Sequence, residues 1–91
     1  MFKILGVTFS SGEYNGMPFN NVIFQACHAA NDDNTVGEMI CKVKFKRQNL
    51  ADYTNQDLID MVGKDLDFNG IPTKQKDNVT YTGYVGIANI K

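Results

Sequence analysis

A chain of 91 residues with a formal charge of −1 and 43% hydrophobic residues has the makings of one packed domain, spanning 1–91, and no room for two independent cores. The near-neutral balance excludes the general attraction to polyanions that strongly basic proteins use, so affinity for nucleic acid or an anionic surface has to come from a local patch. With two prolines, four tyrosines, six phenylalanines and no low-complexity tract, the composition is that of a folded chain rather than a disordered one.

The first element is Phe2 to Phe9, F-K-I-L-G-V-T-F, apolar on both alternations and rich in β-formers. This predicts a strand that is covered on both sides or coils around a barrel. Gly6 is its bend, since an interior glycine often marks a bulge or a barrel corner. The run turns polar too early for a signal-peptide core and is far shorter than the roughly 20 apolar residues of a membrane span, so the expectation is a cytoplasmic protein with no membrane partner. Asn15-Gly16 comes next, within S-S-G-E-Y-N-G-M-P-F, and both residues tolerate the positive φ of a type I′ turn. Strand one is therefore expected to fold straight back as strand two, from about Phe19 to Ala29. The polar segment N-D-D-N-T at 31–35 then supplies a turn rich in Asx-forming residues.

Val36 to Arg47, V-G-E-M-I-C-K-V-K-F-K-R, carries the strongest functional signal. Met39, Cys41, Val43 and Phe45 fall on one face of an extended chain, and Lys42, Lys44 and Lys46 on the other. Arg47 follows, and no acid lies between Cys41 and Arg47. Such a ridge of ammonium groups either solvates and protects a sheet face or binds an anion.

Beyond the ridge, Thr54 and Asp57 have the spacing of a capping box, and Tyr53 and Leu58 that of a hydrophobic staple. Leu58, Met61 and Val62 give one apolar face, and Gly63 stands where a left-handed residue ends a helix. The prediction is a helix of two to three turns whose acidic side, Asp57 and Asp60, is solvated. Asp65-Leu66-Asp67-Phe68 alternates as strand four and is expected to stop at Asn69-Gly70. Ile71 to Asn78 reads as a polar connector carrying Lys74 and Lys76. Val79 to Ile90 forms strand five, with Gly83 and Gly86 letting it bend. The order β-β-β-α-β-β, mainly β with one short helix and without alternating βα units, disfavours a parallel sheet. It is the order of the five-stranded OB-fold, a Greek-key barrel that binds oligonucleotides on the face of its strands two and three.

Catalytic chemistry finds little support. His28 is the only histidine and is read as a surface residue at the end of strand two, beside Asn31, Asp32 and Asp33. A catalytic base would want a nucleophile or a carboxylate held in a cleft, and a metal would want a second strong ligand at a defined spacing. Neither pattern is visible. Cys27 and Cys41 each sit in an apolar strand pattern with no C-x-x-C, which fits buried thiols better than a disulfide or a zinc pair. Glycine-rich nucleotide loops and the G-x-S-x-G elbow are missing from the sequence. The expectation is a non-enzymatic protein with no cofactor or metal.

Binding a single strand needs cations that follow the phosphates and flat side chains on which bases stack. Lys42, Lys44 and Lys46 meet the first need. Tyr14 at the hairpin tip and Tyr81 or Tyr84 on strand five are candidates for the second, and Phe19 is a further one. Three segments taken in order, S-G-E-Y-N-G-M-P-F-N-N-V-I-F, G-E-M-I-C-K-V-K-F-K-R and M-V-G-K-D-L-D-F, resemble the first hairpin with strand two, the basic third strand and the entry to strand four of small phage-encoded single-stranded DNA-binding proteins with an OB-fold. The resemblance implies cooperative, largely sequence-independent coating of single strands, often by a homodimer, in phage or mobile-element replication or recombination. It places Tyr14, Phe19, Lys42, Lys44, Lys46, Arg47 and Tyr84 against the nucleic acid, with DNA preferred over RNA as partner. The alternative from another class is a small protein-interaction module, a phage or plasmid accessory protein docking through a sheet edge, which needs no lysine ridge.

Overall fold

Five strands, β1 (Phe2–Tyr14), β2 (Met17–Ala29), β3 (Glu38–Lys46), β4 (Asp65–Lys74) and β5 (Thr80–Ile90), close into a barrel in the order β1-β2-β3-β5-β4. The computed structural model describes residues 1–29, 34 and 36–91. Most of the expected turn at 31–35 lies outside the described residues. β1 and β4 close the barrel through Phe2↔Leu66 and Lys3↔Asp65, while β3 meets β5 in parallel at Lys42↔Thr80 and Val43↔Tyr81. A 3-10 turn (Arg47–Leu50) and α1 (Asn55–Ile59) lie between β3 and β4. This is the OB-fold-like Greek-key barrel that the element order predicts, mainly β with one short helix.

Local chemistry explains the first meander. Asn15 and Gly16 take φ of 53° and 77° in a two-residue turn between the paired Tyr14 and Met17, as a type I′ hairpin requires. Leu5 is the extra residue of a β-bulge between Ile4 and Gly6, which bends β1 where Gly6 predicts a bend. β1 runs five residues past Phe9, because its ladder with β2 persists through Ser11↔Asn20 and Gly12↔Phe19 after the apolar pattern has ended. Residues 11–20 are exposed, so the hairpin forms an arm beyond the core.

The inward alternation of β2 and β3 supplies most of the core. Val22, Phe24 and Ala26 lie opposite Phe45, Val43 and Cys41, and Ile4, Leu66, Leu50, Leu58 and Met61 complete it. Phe24 and Phe45 meet edge to face at 5.9 Å and 82°. Each large buried side chain contributes about 1.5–3 kcal/mol relative to exposure. Cys27 and Cys41 are buried free thiols, as expected. Because Ala26 pairs with Cys41 and Cys27 with Ile40, the two sulfurs lie on opposite faces of the sheet and are not placed to bridge. Burial, then the neighbouring Cys27, pushes the Cys41 thiol up to about 11.

Several expectations need correction. α1 is a single short helix of five residues rather than two to three turns, followed by turns that reach Gly63 at φ 90°. The capping box is present: Asp57 N donates to Thr54 Oγ1 at 3.1 Å and Thr54 N to Asp57 Oδ2 at 2.9 Å. β4 does not stop at Asn69-Gly70 but continues to Lys74. The positive φ that suggested a turn, 116° at Gly70, serves a break in register within the β4–β5 ladder instead. The connector thus shrinks to residues 75–79, and β5 begins at Thr80. In that turn the Asp77 carboxylate accepts from Thr80 Oγ1 (2.6 Å), Thr80 N (2.9 Å) and Val79 N (3.0 Å). These bonds, the Thr80 hydroxyl first, hold Asp77 below the ordinary carboxylate range. His28 is not a free surface residue either: its half-buried ring packs edge-on against Phe2 at 5.5 Å and Tyr81 at 6.2 Å.

Candidate functional site

Strand register, more than any single residue, builds the site. Across β3, β2 and β1 the rows run Lys42–Gln25–Gly6, Lys44–Ile23–Thr8 and Lys46–Asn21–Ser10, and the hairpin arm adds Phe19–Gly12 and Met17–Tyr14. Directly opposed residues of a ladder share a face, and the alternate rows, such as Val43–Phe24–Val7, point to the core. All five outer rows therefore lie on one face of the barrel, and none of their residues is acidic. Gln25 Nε2 donates to Thr8 Oγ1 at 3.0 Å along this face.

The side chains grade in size across it. β1 presents only Gly6, Thr8, Ser10 and Gly12 before Tyr14, β2 presents medium-sized groups and a phenylalanine, and β3 presents the lysines. The outcome is a trough with a low floor on β1 and a cationic wall on β3, whose ammonium-bearing residues repeat about every 6.6 Å along the strand. Phe19 lies with its ring against Gly12, where a Cβ would come within 3.1 Å of it. Its ring is 38% exposed and Tyr14, at the tip, 75%.

Two clefts open where the trough meets the 3-10 turn. Phe19, Lys46 and Arg47 line one of 710 Å³ together with Pro18, Asn21 and Gln48. Lys44, Lys46 and Tyr84 line the other, of 470 Å³, together with Asn21, Gln48 and Asn49. Asn21, Lys46 and Gln48 border both. The structure thus brings five of the seven expected residues around Lys46, with Lys42 at the far end of the ridge and Tyr14 at the tip of the arm. At the Lys42 end, Lys42 N donates to Val79 O at 2.8 Å, so the 75–79 turn bounds the ridge there.

Two of the seven are placed differently from expectation. Arg47 does not extend the row of exposed cations. Its guanidinium donates to Leu50 O and Tyr53 O, both at 2.5 Å, and its Nε to Asn55 Oδ1 at 3.3 Å, tying the 3-10 turn to the start of α1. Tyr84 is not an exposed platform. It packs against Phe68 at 5.3 Å and Phe2 at 6.2 Å, and burial, followed by Tyr81, pushes its phenol pKa up. Tyr81 likewise turns inward, toward Phe2 at 6.1 Å. The irregular backbone at Gly83, φ 92°, puts Tyr81 and Tyr84 on the same side although they are an odd three positions apart.

Sequence reasoning missed the small row of β1 and the amides Asn21, Gln25, Gln48 and Asn49. The signal was there in part: small residues recur at every second position from Gly6 to Gly12. Their partners on β2 depend on a register that the bulge at Leu5 shifts.

Among the described residues, no helix is long and apolar enough to cross a membrane, and no group of three or more His, Cys, Asp or Glu is placed to hold a metal. In comparisons with known proteins, no family model, curated protein or solved structure matches this chain.

Proposed function

We propose that the barrel is a non-enzymatic single-stranded DNA-binding protein that holds its ligand in the trough over β1, β2 and β3. The observation that carries this reading is the shared outer face: Lys42, Lys44 and Lys46 form one wall, and Phe19 and Tyr14 offer exposed rings beside a floor of small residues. Phosphates follow the lysines, whose repeat along an extended strand suits a stretched polyanion lying parallel to it. Bases lie over β2 and β1, where stacking on Phe19 or Tyr14 contributes about 1–3 kcal/mol per base. Neither type of contact reads sequence, so the coating is general. Preference for DNA over RNA, a role in phage or mobile-element replication and assembly as a homodimer rest on the resemblance of the three segments described above.

A second reading, a protein-interaction module, is favoured by one feature. β1 pairs with β4 only at Phe2 and Lys3, so from Gly6 onward one edge of the strand faces no partner among the described residues. Fluorescence anisotropy of labelled oligo-dT at two or more salt concentrations separates the two. Three lysine–phosphate contacts predict a slope of about −2 in log affinity against log salt, at roughly 0.7 per phosphate of a single strand. Absence of binding at low salt rejects the DNA reading and leaves the edge as the working surface.

A further inference from the structure

We infer that Arg47 is a positioning residue, and that the amides it steadies, Gln48 and Asn49, form with Asn21 a patch around Lys46 that hydrogen-bonds base edges. The inference rests on the DNA-binding reading and adds to it a place where base edges are hydrogen-bonded as well as base faces stacked.

The chemistry of the face changes along β3. Around Lys42 and Lys44 the outer neighbours are Gln25, already bonded to Thr8, and Ile23, which has no polar group to offer. Around Lys46 they are Asn21, Gln48 and Asn49, which line the two clefts. Gln25, Gln56 and Gln75 each have a side-chain partner in Thr8, Asp60 and Thr82. The amides of Asn21, Gln48 and Asn49 have none among the described residues. A side-chain amide presents a donor and an acceptor side by side, the complement of the donor–acceptor edges that bases expose once unpaired. Three unengaged amides beside a lysine and the Phe19 ring suit a nucleotide whose phosphate meets Lys46 while its base enters the cleft.

Gln48 and Asn49 belong to a single 3-10 turn whose N-terminus has no side-chain cap. Such a turn has little stability of its own. Leu50, buried in the core, anchors one side of it, and the Arg47 guanidinium anchors the rest by bridging Leu50 O, Tyr53 O and Asn55. Lysine at 47 would keep the charge but lose the fork that reaches several acceptors at once.

The test compares oligo-dT with an abasic oligomer of equal length, by anisotropy across a salt series, for the full chain and three variants. Wild type is expected to bind dT at least tenfold more tightly than the abasic strand. Arg47→Lys and Arg47→Gln are each expected to weaken dT binding by 3–10-fold with the salt slope unchanged and abasic binding unaltered. Asn21→Ala combined with Gln48→Ala is expected to do the same without lowering the melting temperature, which keeps the inference open to refutation if an Arg47 variant folds poorly. Rescue by Arg47→Lys together with a slope shallower by about 0.7 in Arg47→Gln would make Arg47 a phosphate contact and overturn the assignment. Equal wild-type affinity for both strands overturns the base patch, and base stacking with it, and leaves phosphate binding along the lysine wall standing. Failure of wild type to bind either strand overturns both.

Discussion

On the outer face of β1, β2 and β3, side chains grade from glycine to lysine and none is acidic in the five rows from Lys42 to Tyr14, whereas β4 and β5 carry Asp65, Asp67, an exposed Ile71 and Val85, and two glycines pressed against facing backbone. Register shapes the first region. Backbone conformation shapes the second, since a Cβ at Gly83 would lie 2.4 Å from Ile71 O and one at Gly70 would lie 2.8 Å from Gly83 O. The difference explains why a net charge of −1 says little about this protein: five of its ten acids, Asp52, Asp57, Asp60, Asp65 and Asp67, fall on the segment after β3 and on β4, and none stands in the five rows of the trough. A near-neutral sum hides a polarised surface.

If the two regions divide the work as proposed, changes in one leave the other's property intact. The largest effect is expected from Lys42→Glu, Lys44→Glu and Lys46→Glu together, which replace attraction by repulsion along the wall. Oligo-dT binding should fall at least a hundredfold in anisotropy with the circular dichroism spectrum unchanged, while Lys74→Glu with Lys76→Glu near the β4–β5 turn should shift it less than threefold. Equal losses from both sets would erase the distinction between the regions. Gly83→Ala should act on stability instead. Positive φ alone costs a non-glycine residue about 1–3 kcal/mol, before the clash with Ile71 O, and a domain of this size loses about 4–8 °C in melting temperature per kcal/mol. Gly83 also borders the second cleft, so DNA affinity measured well below that transition should change far less than in the triple lysine variant.

Gly12→Val sharpens the comparison from the other side. Gly12 has an ordinary φ and only the Phe19 side chain against it, so valine should displace the ring and weaken dT binding by 3–10-fold with only a small change in melting temperature. The smallest effect concerns Asp77. Its folded pKa is depressed, so its contribution to stability is present above the unfolded value of about 3.9 and is lost as pH falls through the folded one. A carbon-detected NMR titration should show Asp77 titrating below the ordinary aspartate value of about 3.9, with the 75–79 turn loosening only at the acid end. Asp77→Asn should remove that acid dependence and, by taking a carboxylate from beside Lys42, should not weaken dT binding.

Much of the fold was legible because each of its signals is local. Alternation marks Cys41 to Lys46, Asn15-Gly16 makes the hairpin, and Thr54 with Asp57 caps α1. Signals with two uses were harder to read. Asn69-Gly70 offers the same positive φ to a turn or to an irregularity within a ladder, and only the continuation of β4 against β5 decides between them. The lysine wall was legible from spacing, but the roles of Arg47 and Tyr84 were not. Arg47 answers to backbone carbonyls that come together only when the 3-10 turn and α1 fold, and Tyr84 changes side because Gly83 breaks the alternation of β5. The small floor of β1 needed the cross-strand register as well as its own sequence.

The central claim, that the outer face of β1, β2 and β3 receives a single strand, is tested most directly by titrating isotope-labelled protein with oligo-dT and following each backbone amide by NMR. The expected result is a continuous set of shifted amides from Ser10 to Tyr14, Phe19 to Gln25 and Lys42 to Gln48 that shrinks with added salt, with Asp57 to Asp60 and the segment around Ile71 unmoved. No shifts at low salt, or shifts centred on Ile71, would contradict it.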